Sequence, residues 1–407
     1  MRGRAKFVID ECLRLAQFTE EPGRITRRFL SPPMHEVHKY LRERMTGLGM
    51  SVTVDAAGNM RGLWRPEGAG HRRLVIGSHV DTVPNAGAYD GVLGVCLGLE
   101  LVREVKEREI PLAIEVIAFS EEEGVRYGVP FIGSRAVAGR FDPALLGLKD
   151  AEDIRLEDAI RKYGLDPAKI AGAVLDEHAA AMLEIHIEQG PVLEAEGLSV
   201  AAVTDIVGQT RMSLRFAGRA NHAGTTPMHL RHDALAGAAE WMVAVERIAR
   251  GTDGLIATVG KVEVEPNAGN VVPGAATVSL DLRHSKDSER QAQLESLLVK
   301  AGDIADRRGL TLESKRLMDQ PAVPMDEQLT SFLVEAMEAL GLPPKRMPSG
   351  AGHDAMVIAA RVPTAMLFLR SPGGISHHPD EAVREEDVEN ALRVTTRFLE
   401  RLAADIK

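Results

Sequence analysis

Five short segments of the chain carry histidine and carboxylate side chains at spacings that suit divalent-metal chemistry. Gly77-Ser78-His79-Val80-Asp81-Thr82 continues the apolar run Leu74-Val75-Ile76. Side chains two apart on a strand share a face, so His79 and Asp81 leave the strand end together. An imidazole backed by a carboxylate is a metal ligand whose tautomer is fixed and whose basicity is raised. Tyr89-Asp90-Gly91 opens a long helical pattern. Asp90 is either an ordinary helix cap or a carboxylate bridging two ions, with Gly91 permitting an unusual backbone beside it. Ser120-Glu121-Glu122-Glu123-Gly124 follows another apolar strand. Three adjacent carboxylates repel where an α/β sheet gathers its ligand site, and a divalent cation would relieve that repulsion. In Leu183-Glu184-Ile185-His186-Ile187-Glu188, strand alternation puts Glu184, His186 and Glu188 on one face. Near the C-terminus, Gly373-Gly374-Ile375-Ser376-His377-His378-Pro379-Asp380-Glu381 holds two histidines in a Gly-Pro loop that has no packing use for them.

Each segment alone also reads as a polar strand end or a solvated loop. Together they place imidazoles and acidic clusters at the ends of apolar segments along most of the chain. Imidazole and carboxylate without thiolate suit Zn, Mn, Co or Ni with an open coordination position. A shared aspartate suggests a co-catalytic pair of ions about 3.5–4 Å apart. Cys12 and Cys96 are too few for a disulfide framework or a thiolate zinc site, and Cys96, inside the helical pattern, reads as an inert buried thiol. No nucleophile elbow and no phosphate-cradling glycine loop with a lysine is present.

The elements that must position these groups show two grammars. Up to about residue 206, helices (Met34 to Met45, Gly91 to Arg108) alternate with strands (Ser51 to Val54, Asn59 to Trp64, Leu74 to Gly77, Ile114 to Phe119). That alternation predicts an α/β layer with a central, mainly parallel sheet flanked by helices. From 207 to 320 the order is strand Thr210–Phe216, helix His232–Arg250, strands Leu255–Val264 and Ala275–Leu282, helix Lys286–Arg308 and strand Leu310–Leu317. This βαββαβ order predicts a ferredoxin-like unit. Residues 207–320 are therefore expected to be a domain inserted into a catalytic domain of 1–206 and 321–407, with Gln320-Pro321-Ala322-Val323-Pro324 as the return linker.

The 407 residues are 44% hydrophobic and 27% charged, which fits globular domains and excludes disordered or collagenous classes. A net charge of −10 with no basic block argues against nucleic-acid or anionic-membrane partners. The absence of an apolar run long enough to cross a membrane, and of an apolar signal core, gives the expectation of a cytoplasmic protein.

The chain resembles the metal-dependent amidohydrolases that include allantoate amidohydrolase and N-carbamoyl-L-amino-acid hydrolase, within the wider di-metal exopeptidase superfamily. The motifs that carry the resemblance are GSHVDTV (77–83), YDGVLG (89–94), FSEEEGVRY (119–127), IGSRAVAG (132–139), HIEQGPVLE (186–194), NHAGTTPM (221–228), NVVPG (270–274), DLRH (281–284), SGAGHDAM (349–356) and GGISHHP (373–379). The resemblance implies a homodimer of two-domain subunits in which the inserted domain is a lid that also dimerises. It assigns His79, Asp90 and His186 to one divalent ion and Asp90, Glu123 and His377 to a second, with Mn²⁺ first and Zn²⁺, Co²⁺ or Ni²⁺ as alternatives. Glu122 matches the general base and Asp81 the carboxylate behind His79. His222 and Asn270 match lid residues that reach the partner's site, with His222 stabilising the oxyanion. Gln189 and Arg283 match positions that bind substrate, Arg211 is a further candidate for gripping its carboxylate, and Gly352 and His353 fall in a motif that lines the substrate. Two departures stand out: His378 follows His377 where the family usually has a small polar residue, leaving two imidazoles for one place, and Tyr127 stands where Phe is common.

The activity implied is hydrolysis of a ureido or carbamoyl C–N bond in a small carboxylated substrate. GQTR (208–211), PNAGNVVPG (266–274) and SGAGHDA (349–355) resemble allantoate amidohydrolases more than carbamoylases. The rivals are a di-metal aminopeptidase or dipeptidase and a non-catalytic small-molecule or metal-binding protein. Arg283 and the HIEQG motif favour small carboxylated ureido compounds over peptides, and a pure binder has no need of Glu122 as a base beside the metals.

Overall fold

The computed structural model describes residues 3–405. Asp205–Pro324 is one compact unit, and the described residues on either side of it form the other. The inserted unit thus extends a few residues beyond 207–320 at both ends. The cause is local: Ile206 and Asp205 pair with Val323 and Pro324, so the outgoing and returning segments are zipped to each other.

In the larger unit, the strands Arg73–His79, Ala113–Phe119, Ala179–Ile187 and Thr364–Leu369 form the middle of one sheet. Arg73–His79 runs parallel to both Ala113–Phe119 and Ala179–Ile187, and Thr364–Leu369 runs parallel to Ala179–Ile187. Antiparallel strands flank them, Met60–Trp64 with Ser51–Val54 on one side and Val200–Ile206 on the other. Arg73–His79, Ala113–Phe119 and Thr364–Leu369 are buried at every residue, which is why their apolar residues do not simply alternate; the buried charges Arg73 and Glu115 pair with each other at 2.6 Å. Helices Arg4–Leu15, Val92–Glu107 and Glu385–Asp405 close one hydrophobic core through Val8, Leu15, Leu93, Leu97, Leu101, Phe398 and Leu399. Parallel strands share a direction, so all four release their following loops at the same edge of the sheet.

The inserted unit has strand order Val262–Glu265, Ala275–His284, Gly208–Ala217, Thr311–Gln320, each antiparallel to its neighbour. Met212, Leu214, Phe216, Val278, Leu280 and Leu282 alternate onto one face. There they meet Trp241 and Val245 of helix Ala234–Gly251 and Leu294, Leu297 and Ile304 of helix Asp287–Arg308. One expected element differs. The run Leu255–Val264 splits into Ile256–Thr258 and Val262–Glu265, because Thr258 pairs with Asp281 while Val262 pairs with Val278. Three residues therefore face two, a bulge centred on Gly260, and the Ser279 hydroxyl accepts the Lys261 N–H at 3.0 Å to close it.

Candidate metal centre

The common edge of the parallel strands is where the chemistry-bearing side chains gather. His79 is the last residue of Arg73–His79, His186 stands one residue before the end of Ala179–Ile187, and Glu121, Glu122 and Glu123 follow Phe119. Asp90 precedes helix Val92–Glu107, whose N-cap is Gly91 at φ +66° with no side-chain cap bond. The helix thus makes no use of the Asp90 carboxylate, and the simple capping role is excluded. A Cβ on Gly91 would lie 2.4 Å from the His79 ring, so only glycine lets the imidazole and the aspartate come this close.

Asp90 occupies the middle of the group. Its Oδ1 lies 3.6 Å from His79 Nε2 and 3.2 Å from His186 Nε2, while Oδ2 lies 3.1 Å from His377 Nε2. His377 Nε2 is in turn 3.5 Å from Glu123 Oε1. His79, Asp90 and His186 each offer a donor atom within 4.8 Å of the others, as do Asp90, Glu123 and His377, and also His79, Glu122 and Glu123. His378 points elsewhere, toward Asp380, and takes no part.

Main-chain carbonyls set the tautomers. His79 Nδ1 bonds the Asp81 carbonyl at 3.0 Å and His186 Nδ1 the Ile187 carbonyl at 2.9 Å. Each Nδ1 therefore carries a proton, and the neutral ring turns its Nε2 lone pair to the site. This corrects the expectation for Asp81. Its carboxylate lies 3.8 Å from His79 Nδ1 and instead accepts the backbone N–H groups of Glu122 and Glu123, both at 3.1 Å. Asp81 orients His79 through its carbonyl and the acidic loop through its side chain. The loop is also shaped by Glu121, whose Oε1 accepts the N–H groups of Arg126 and Tyr127. Glu121, Gln189 and His377 hold left-handed backbones at φ +51°, +57° and +55°, strain concentrated where the groups converge.

The charges are strongly coupled. Burial would raise the Asp90 carboxyl, yet His186, His377 and His79 hold it well below its usual range. His377 is raised to about 9, first by its bond to Asp90. Burial drives the Glu122 carboxyl well above its usual range, against the pull of His79 and with Asp354 and Glu123 adding to it. Glu123 is pushed up to about 7, by burial and then by Asp90. A buried carboxyl with a raised pKa beside candidate ligands has the character of a general base.

Other expected residues fall around this centre. Gln189 Nε2 donates to Asp90 Oδ2 at 3.0 Å and to the Ser376 hydroxyl at 3.2 Å. His353 is buried against His186, ring centroids 4.4 Å apart, with Nε2 facing the Ser349 hydroxyl at 3.0 Å. In this conformation it backs a candidate ligand instead of lining open space, and the neighbouring Gly352 lies against Phe131. Glu184 accepts from the Ser78 hydroxyl and the Ala355 N–H, and Glu188 from the N–H groups of Val192 and Leu193. Both carboxylates build the surroundings. Sequence reasoning gave no role to Ser376 or Glu381, although a carboxylate four residues beyond His377 in the same loop was a usable signal.

Within the inserted unit, His222 and Asn270 are neighbours. Asn221–His222 pairs with Val271–Val272, and the Ala223 N–H donates to the Asn270 carbonyl at 2.9 Å. His222 Nδ1 accepts from Gly224 N–H at 3.1 Å and Thr225 N–H at 3.2 Å, so its proton is on Nε2, a donor nitrogen on an exposed side chain. Arg283 donates through Nε and Nη2 to the two oxygens of Asp281 at 2.8 and 3.0 Å, and Arg211 Nε donates to the same carboxylate at 3.1 Å.

The donor set fits divalent ions. Asp90 Oδ1 and His186 Nε2 are buried and satisfied by no hydrogen bond, which is what a cation between them would resolve.

The chain is similar to known proteins along most of its length. Residues 75–401 match the peptidase family M20/M25/M40. An N-carbamoyl-L-amino acid amidohydrolase of Geobacillus stearothermophilus is 39% identical over 92% of this chain and 93% of its own length. An allantoate deiminase of Arabidopsis thaliana is 36% identical over 95% of this chain and 80% of its own. Among solved structures, an amidase of the hydantoinase/carbamoylase family from Burkholderia multivorans superimposes with a TM-score of 0.92 at 31% identity, over 98% of both chains.

Proposed function

The chain belongs to the peptidase family M20/M25/M40, and from its likeness to a carbamoylase and an allantoate deiminase we propose that it hydrolyses the ureido C–N bond of a small carboxylated substrate, allantoate first. It is a hydrolase of C–N bonds. The observation that carries the reading is Asp90, whose two oxygens face different imidazoles while the base candidate Glu122 lies buried beside them.

His79, Asp90 and His186 would hold one divalent ion and Asp90, Glu123 and His377 the other, Mn²⁺ first. Bound there, the ions would supply Lewis acidity, making a water acidic enough to ionise near neutral pH and polarising the carbonyl. Glu122 takes the proton of the attacking water and returns it to the leaving nitrogen. The raised pKa of its buried carboxyl suits both halves of that transfer. His222, with Nε2 protonated by default, donates to the oxygen that gains charge. Arg283 grips the substrate carboxylate, with its guanidinium set in advance by Asp281; Arg211, Gln189 and Asn270 add polar contacts. The carbamoyl group leaves as carbon dioxide and ammonia. Asp205–Pro324 serves as lid and dimerisation surface, so that His222 and Asn270 complete the partner's site.

The second reading, an N-carbamoyl-L-amino acid as substrate, is favoured by the 39% identity to a carbamoylase. Ammonia release from allantoate, N-carbamoyl-L-amino acids and dipeptides, with and without Mn²⁺, decides between them. Turnover of dipeptides alone would defeat both.

A further inference from the structure

We propose that Glu381 is a positioning residue that joins the two parts of the second metal site, Asp90 and the loop bearing His377. The inference rests on the two-ion reading above. Glu381 is buried, and its Oε1 accepts the backbone N–H of Tyr89 at 2.9 Å and of Asp90 at 3.0 Å. Its Oε2 accepts the Ser376 hydroxyl at 3.1 Å, and that hydroxyl also lies 3.3 Å from Asp90 Oδ2. One carboxylate thereby ties the backbone of the bridging residue to the residue preceding His377, across a sequence separation of 286 between Asp90 and Ser376.

The contact is close enough to dictate its neighbour. A Cβ on Gly87 would stand 2.3 Å from Glu381 Cβ, so the segment leading to Asp90 can lie against this carboxylate only because residue 87 has no side chain. The two sides of the centre are built differently. His79 and His186 sit on strands held in register by ladder bonds. His377 sits in a loop, exposed, on a left-handed backbone. Its place relative to Asp90 depends on what the loop is fastened to, and Glu381 is that fastening. Outer carboxylates of this kind typically change metal affinity 10–100-fold when lost.

Mn²⁺ titration of the metal-stripped full-length protein, by calorimetry and by metal counting after dialysis, tests the assignment. Glu381→Met keeps the bulk and removes all three bonds. It is expected to bind a first Mn²⁺ as the wild type does and a second about 10–100-fold more weakly. Glu381→Gln keeps an oxygen for the Tyr89 and Asp90 amides and is expected to lose less. Gly87→Ala leaves every polar group in place but displaces Glu381, and is expected to weaken the same ion. Circular dichroism of the metal-free proteins reports the fold; should Glu381→Met not fold, Gly87→Ala and Ser376→Ala carry the test. Two Mn²⁺ bound at wild-type affinity in the folded variants overturns the proposal. A wild type that never binds a second ion overturns the two-ion reading and this inference with it.

Discussion

Asp90 Oδ1 and His186 Nε2 face each other at 3.2 Å, both buried and neither with a hydrogen-bonded neighbour. Two lone pairs at that distance repel unless a proton or a cation lies between them. Chelation should therefore abolish turnover, and Mn²⁺ or Zn²⁺ should restore it. The candidate ligands hang from the ends of strands whose core is apolar and continuous, so circular dichroism of the stripped protein should remain close to that of the untreated one. Full activity in rigorously metal-free protein would end the di-metal hypothesis.

Glu122 and Glu123 are adjacent and should fail differently. Their amides are both held by Asp81, so glutamine at either position leaves the loop in place. Glu122→Gln should retain metal and lose roughly 10²–10⁴ in kcat, the usual worth of a general acid–base. Glu123→Gln should lower the metal content. Metal counting beside kinetics separates the two; the reverse pattern would exchange their roles.

Arg283→Lys should raise KM for carboxylated substrates on the order of 10–100-fold, with a smaller effect on kcat. The guanidinium reaches both oxygens of Asp281 at once, and a lysine ammonium has no second edge with which to keep that alignment. An unchanged KM would shift the clamp to Arg211.

His38, on helix Pro32–Gly47, gives a pH dependence of its own outside the candidate ligand set. Its buried ring bonds the Tyr163 hydroxyl at 2.9 Å, and burial lowers its pKa to about 4. The fold therefore keeps the neutral imidazole. Above the unfolded value of 6.5, both states are neutral and His38 is without effect on stability. As pH falls from 6.5 to 4, the unfolded chain takes up a proton that the fold refuses, and up to roughly 3 kcal/mol of stability is lost. Urea unfolding of metal-free wild type and His38→Gln across that range should show the wild type losing ground to the variant; parallel curves would refute it.

If His222 acts on the partner's centre, two inactive proteins should restore each other. Exchange of equal amounts of His222→Ala and Glu122→Gln subunits makes half the dimers mixed. Each mixed dimer then has one site free of both lesions, so about a quarter of wild-type activity should return. Activity that stays at the mutant level, with exchange verified by mass spectrometry, places His222 in its own subunit's site.

Most of what converges at the centre was legible because strand ends advertise themselves. His79, His186 and the acidic triplet each follow an apolar run, and the direction of parallel strands does the rest. What sequence patterns missed were hydrogen bonds made by the main chain. Nothing in the residue type of Asp81 says that its carbonyl holds His79 while its carboxylate holds two amides. Glu381 could be seen as a carboxylate near His377, but not its task, since its partners Tyr89 and Asp90 are defined only after folding. In the inserted unit, the extra residue at Gly260 is a matter of register, and the alternation of Leu255 to Val264 carries no trace of it.

The carbonyls that aim His79 and His186 have a bearing on how this site can change over time. A carbonyl is present whatever residue occupies positions 81 and 187, so point mutation at either keeps the acceptor that aims the imidazole, although at 81 it also frees the two amides of the acidic loop. His377 takes its bearings from the side chains of Asp90, Glu123 and Gln189, each of which a single codon change can alter. One half of the donor set is thus inherited with the strand ends, and the other is open to selection. Divergence in metal preference among related sequences should begin on the His377 side, with the His79 and His186 side following last.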